Sequence, residues 1–183
     1  RESLGRFLAK GAPVAPAAEP LASPVGAAAT AAEALRRING PAERRAIVTQ
    51  ELDLAWMLHE GGILSEDQYA KVVSDLTDLS ASVLPQSISV LHLFHDRHLP
   101  NIDQVLAFVG EKSGVPLLPL SSFEPQAAAY GLLPIEYLVI KGVVPFEAMS
   151  NDLLVATLNP LSRSLRQELE TLTGRRCHLY LVQ

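Results

Sequence analysis

The chain has 183 residues, a formal net charge of -5 and a pI near 5.5, a balance that excludes a basic protein built to coat nucleic acid. With 48% hydrophobic and 19% charged residues it can build a core, and its length suits one domain or two small ones. The single cysteine, Cys177, excludes an internal disulfide, and 5% aromatic residues argue against an exposed base-stacking or sugar-binding platform.

Arg1–Lys10 lacks the continuous apolar stretch of a signal peptide, so the expectation is a piece of an intracellular protein, located in the cytoplasm. The most apolar window, Leu132–Val144, is cut by Pro134, Lys141 and Gly142 well before the ~20 residues that a bilayer crossing requires. Residues 9–35 are alanine-rich, with Pro13, Pro16, Pro20 and Pro24 at short intervals, and offer little large apolar surface to bury. Residues 1–40 are therefore expected to be a flexible tether, with room for a short helix over Ala27–Ile38.

Pro41 suits a helix first turn, and Ile47, Val48, Leu54, Ala55 and Leu58 recur at helical spacing up to Gly61-Gly62. Ser65 and Gln68 have capping-box spacing, and Val72, Val73, Leu76 and Leu79 continue an apolar stripe through a second helix. A third helix is predicted from about Ile88 to His98. Asn101 and Gln104 predict a capped fourth helix ending at Gly110 or Gly114, which makes 41–113 a helical subdomain.

The periodicity then changes. Val115–Leu120 is too rich in proline for a helix and reads as an extended edge segment, followed by helical turns near Pro125–Tyr130 and Pro134–Ile140. Val143–Met149 and Leu153–Leu158 read as strands joined by the turn residues Ser150-Asn151-Asp152. Asn159-Pro160 predicts a capped helix carrying Leu161, Leu165, Leu169 and Leu172, ended by Gly174, with Cys177–Val182 as a third strand. The fold class is α+β: a small helical bundle followed over 114–183 by a two-layer hairpin, helix and strand.

Candidate chemistry is sparse. His92 and His95 could share a metal on adjacent helical turns, but His98 is rotated ~120° from His92, and a solvated histidine face explains all three. Gly110–Gly114 contains a Lys-Ser pair, yet the pair precedes the second glycine at a helix end, where the dipole has the wrong sign for phosphate. Cys177 falls on an alternating strand and reads as a buried apolar residue. Glu51, Asp53, Glu66 and Asp67 read as solvated helix faces or caps. No catalytic constellation emerges, and no metal or cofactor is expected.

From Gly114 onward the sequence resembles the N-terminal domain of the type II secretion and type IV pilus assembly ATPases. The residues that carry the resemblance are Gly114-Val115-Pro116-Leu117-Leu118-Pro119-Leu120, Gly131-Leu132-Leu133-Pro134, Val143-Val144-Pro145-Phe146, Leu153-Leu154-Val155-Ala156, Asn159-Pro160 and Leu172-Thr173-Gly174. Asn159 stands where that family often has aspartate, and it caps equally well. The helical part resembles, more loosely, the paired repeat with which relatives bind cyclic di-GMP.

The resemblance implies degenerate nucleotide-binding positions at Leu54, Leu58, Gly62 and Gln68, with Leu64 between them. The Arg-Leu-Gly start of the first repeat is here Asp53-Leu54-Ala55, its closing glutamine is Leu76, and the second repeat would start at Ser89-Val90-Leu91 with its glycine on His98. Arginine supplies charge-assisted donors to phosphate or guanine, and Asp53 would instead repel a dianion. Cyclic di-GMP is therefore disfavoured as a ligand. Ser3–Gly11 offers a further half-repeat one residue short, which reads as a chance match.

No Walker A sequence and no paired-cysteine zinc motif occurs, so this chain is not expected to hydrolyse ATP. The resemblance implies a non-catalytic interaction and regulatory module docking on a membrane-anchored protein at the cytoplasmic face of the inner membrane, with a cyclic di-GMP receptor as the alternative.

Overall fold

The computed structural model describes residues 36, 38, 40–81, 87–97, 101–119, 121 and 124–182. Most of the predicted tether, the Ser3–Gly11 half-repeat and His98 lie outside them. Ile38 is helical and buried in the core.

Helix α1 spans Pro41–Glu60, with proline in its first turn, and buries Ile47, Glu51, Leu54, Ala55 and Leu58. Gly62 ends the following turn at φ +71, a backbone state that glycine adopts without penalty, while the amides of Ile63 and Leu64 both return to the Leu58 carbonyl. Helix α2, Glu66–Ala81, opens with a reciprocal capping box: the Ser65 amide donates to Gln68 Oε1 at 2.9 Å and the Gln68 amide to Ser65 Oγ at 3.2 Å. Helix α3, Val90–Asp96, packs on both and buries Val90, Leu91, Leu93 and Phe94; Arg97 joins its end to Asp75 of α2.

Helix α4 spans Ile102–Ser113 and closes on Gly114 in the left-handed region. The expected cap at its start is absent: Asn101 is itself left-handed at φ 76, and it receives the Gln104 amide on its backbone carbonyl rather than its side chain. The predicted third helix is likewise shorter than its apolar pattern, since Ser87, Ile88 and Ser89 precede it outside any helix, Ser89 with an extended backbone.

Strand β1 is only Leu117–Leu118, shorter than the predicted extended segment. Two short helices, α5 (Ala127–Tyr130) and α6 (Ile135–Lys141), lead into β2 (Val143–Met149) and β3 (Asp152–Thr157). Helix α7, Leu165–Thr173, then returns the chain to β4, Arg176–Val182. The sheet order is β1-β4-β3-β2, with β2 and β3 antiparallel and β4 parallel to both β3 and β1. This confirms the α+β class, with β1 as the expected edge.

Helix α7 packs on β4, whose Cys177, Leu179 and Leu181 point into the core while Arg176 and His178 face outward. Burial pushes the Cys177 thiol up, as expected of a small core residue, although the neighbouring Thr173 hydroxyl works the other way. The β2 edge is guarded: the Gln126 amide bonds the Phe146 carbonyl at 2.8 Å, and Pro145 offers no donor.

Candidate functional site

The helical part and the sheet unit meet along one face of α1, where Glu43, Ile47 and Glu51 stand at successive helical turns. Lys141, at the end of α6, donates to Glu43 at 2.5 Å and to Glu168 of α7 at 2.8 Å, with only 9% of its side chain exposed. Two turns further along α1, Glu51 Oε2 accepts the Val90 amide at 2.7 Å and Glu51 Oε1 accepts Asn159 Nδ2 at 2.8 Å. One carboxyl group thus joins α1, the start of α3 and the turn after β3.

The sequence reading placed Glu51 on a solvated helix face, and the structure corrects it: Glu51 is 4% exposed. Burial pushes its carboxyl pKa from 4.5 up to about 7, against the pull of the Val90 and Asn159 hydrogen bonds. Asn159 is corrected too. Its Oδ1 accepts the Leu161 amide at 3.1 Å in a local side-chain turn, and α7 begins six residues later at Leu165, so Asn159-Pro160 ends the sheet rather than opening the helix. Neighbouring Tyr137, fully buried, has its hydroxyl pushed up by burial and by the Glu168 carboxylate.

The degenerate nucleotide-binding positions are not convergent. Leu54 and Leu58 are 1% and 0% exposed and belong to the core, Gln68 spends its side chain on the capping box, and Gly62 faces open space. Asp53 lines an open cleft of about 530 Å³ with Gln50, Met57 and Arg163, while Ser89, where the second repeat was expected to start, is buried. His92 pairs with Asp96 at 3.2 Å on the surface, and His95 is exposed beside it; among the described residues no three His, Cys, Asp or Glu groups converge on a metal position.

The feature that sequence reasoning missed is an apolar groove of about 400 Å³ on the sheet unit. Tyr130, Ile135, Val139, Val144, Leu158 and Val182 line it, and among the described residues no charged one does. Exposure of Ile135 reaches 65%, of Tyr130 44%, of Val144 38% and of Val139 37%, so the wall is open to solvent rather than spent on the core. Gly142 forms its floor at φ +61, where a Cβ would lie 3.0 Å from Leu158 Cδ1. The signal available in sequence was the run of Ile135, Leu138, Val139 and Ile140 on a helix too short to bury all its apolar side chains, which leaves Ile135 and Val139 exposed.

A helical bundle is thus joined through a buried carboxyl group to a four-stranded mixed sheet, with an apolar groove on the sheet unit. Residues 113–183 match the family model described as the MshEN domain, the N-terminal domain of type II secretion and type IV pilus ATPases, and the resemblance read from Gly114 onward is shown over that segment. The helices before Ser113 lie outside the match. A solved structure described as "Structure of MshE with cdg" is similar at a TM-score of 0.45 and 17% identity, over 70% of this chain and 88% of that one. No curated protein matches the sequence. Among the described residues no helix is long and apolar enough to cross a membrane.

Proposed function

We propose that the chain is a non-catalytic interaction and regulatory module of a type II secretion or type IV pilus assembly ATPase, acting in the cytoplasm and docking on a protein anchored in the inner membrane. The observation that carries this reading is the groove at Ile135, Val139 and Val144, an uncharged concave wall beside a guarded sheet edge. Side chains from a partner can fill such a groove without pairing a strand. The test is sedimentation of the purified chain with inner-membrane vesicles from cells that carry such a system. Binding should vanish after protease trimming of the vesicles, on protein-free lipid, and in Ile135→Glu/Val139→Glu. Equal binding by that variant would refute the groove as the docking site.

The second reading is a cyclic di-GMP receptor, supported by the survival of Leu54, Leu58, Gly62 and Gln68 at first-repeat spacing across the α1–α2 turn. It is weakened by Asp53 and Ser89 and by the burial of both leucines. Calorimetric titration separates the two readings.

A further inference from the structure

The low aromatic content conceals one exposed ring cluster. Trp56, the only tryptophan, stands on α1 with 48% of its surface exposed. Its ring lies 5.6 Å from His59 and 5.7 Å from Tyr69, centroid to centroid, and His59 stacks on Tyr69 at 5.1 Å and 20°. His59 Nδ1 donates to the Leu64 carbonyl at 3.1 Å, which fixes the ring at the centre of the cluster. These rings brace each other, so little rotamer freedom remains to be lost when a ligand settles on them.

Three carboxylates stand within about one helical turn of the rings. Asp53 and Glu60 stand three residues before and four after Trp56 on α1, both exposed, and Glu66 stands three before Tyr69 on α2. Such spacings place side chains on one helix face. None of the three has an ion-pair partner among the described residues, whereas Asp75, Glu43, Glu168 and Asp152 are all paired.

We infer that the Trp56–His59–Tyr69 cluster and its carboxylates form a docking surface for an arginine-bearing segment of a protein partner. A guanidinium is planar and permanently charged. It can lie on the indole face while its edge donates to Asp53 or Glu60, which a lysine ammonium does less well. Negative charge around an exposed tryptophan also selects against acidic partners and phosphates, and tryptophan paired with arginine is a common centre of protein interfaces. The surface lies on α1 and α2 and stands independently of the groove on the sheet unit.

Because Trp56 is the sole tryptophan, its fluorescence reports occupancy directly. The probes are a tetra-arginine peptide, a tetra-lysine peptide, a tetra-glutamate peptide and guanosine monophosphate. Tetra-arginine should produce a saturable change at low salt, tetra-lysine a weaker one, and the two anions none. Asp53→Asn/Glu60→Gln should weaken tetra-arginine binding roughly tenfold, whereas Glu124→Gln/Glu136→Gln, which removes the same net charge from the sheet unit, should leave it unchanged. Tyr69→Ala should weaken it while circular dichroism confirms the fold. Equal weakening by both double variants, or a saturable response to guanosine monophosphate but not to tetra-arginine, would overturn the inference.

Discussion

Glu51 and Asn159 lie 108 residues apart and share one buried hydrogen bond, which joins the helical part to the sheet unit. The bond is held by a carboxyl group whose pKa is raised to about 7, so the seam carries a proton-dependent stability.

The sign follows from the shift. The folded state holds the Glu51 proton more tightly than the unfolded chain, so its contribution is fully present below about pH 4.5 and is lost as pH rises to about 7. The loss is ~3 kcal/mol, from 1.36 kcal/mol per pH unit across that interval. Glu51→Gln, a neutral isostere, should flatten this slope in urea unfolding between pH 5 and 7.5; a slope identical to that of the parent chain would show that another group titrates.

Asn159→Ala should destabilise the chain by ~2–3 kcal/mol at neutral pH. That exceeds the ~1 kcal/mol of a lost cap, because the substitution leaves a buried Glu51 oxygen without its donor as well as freeing the Leu161 amide. In a double-mutant cycle with Glu51→Gln, the two effects should fall well short of additive, which chemical denaturation can measure.

Lys141→Met should cost ~1–2 kcal/mol, since its ammonium is nearly buried between Glu43 and Glu168. By comparison, the Arg176 pair with Asp152 is 75% exposed on the arginine side, and Arg176→Ala should move the unfolding midpoint little. Hydrogen bonding from His178 holds the Asp152 carboxyl below its ordinary range, and that pair too lies at the surface.

Cyclic di-GMP at micromolar concentration should give no calorimetric signal. The resemblance puts Asp53 and Ser89 where binding relatives place arginine, and each lost charge-assisted contact forfeits ~1.5–3 kcal/mol, roughly two to four decades in total. A micromolar constant that disappears in a folded Gln68→Ala variant would favour the receptor reading.

Much of the fold is legible because proline, glycine and capping side chains act locally. Pro41, the Gly61-Gly62 stop and the Ser65–Gln68 box mark α1 and α2 where they form, and Ser150-Asn151 marks the hairpin. What escaped was decided by distant partners. Asn159-Pro160 has the form of a helix start, yet Asn159 turns its amide to Glu51, and nothing near residue 159 in sequence announces that. Glu51 itself could have been suspected, since it sits four residues from Ile47 and from Ala55 on the apolar stripe of α1. The groove arises from α6 packing on β2, a relationship that periodicity within either element does not contain.

Strand β4 lies between β1 and β3 although it is the last of the four in sequence. Leu117 pairs with Leu181, and Leu153 with Cys177, so the strands formed earlier can meet only across the one made latest. During synthesis, the β2–β3 hairpin emerges with an unfilled hydrogen-bonding margin and stays so until β4 arrives. A chain truncated before Arg176 would leave the inner margins of β3 and β1 open and prone to aggregation, whereas residues 176–182 complete the sheet in a single step.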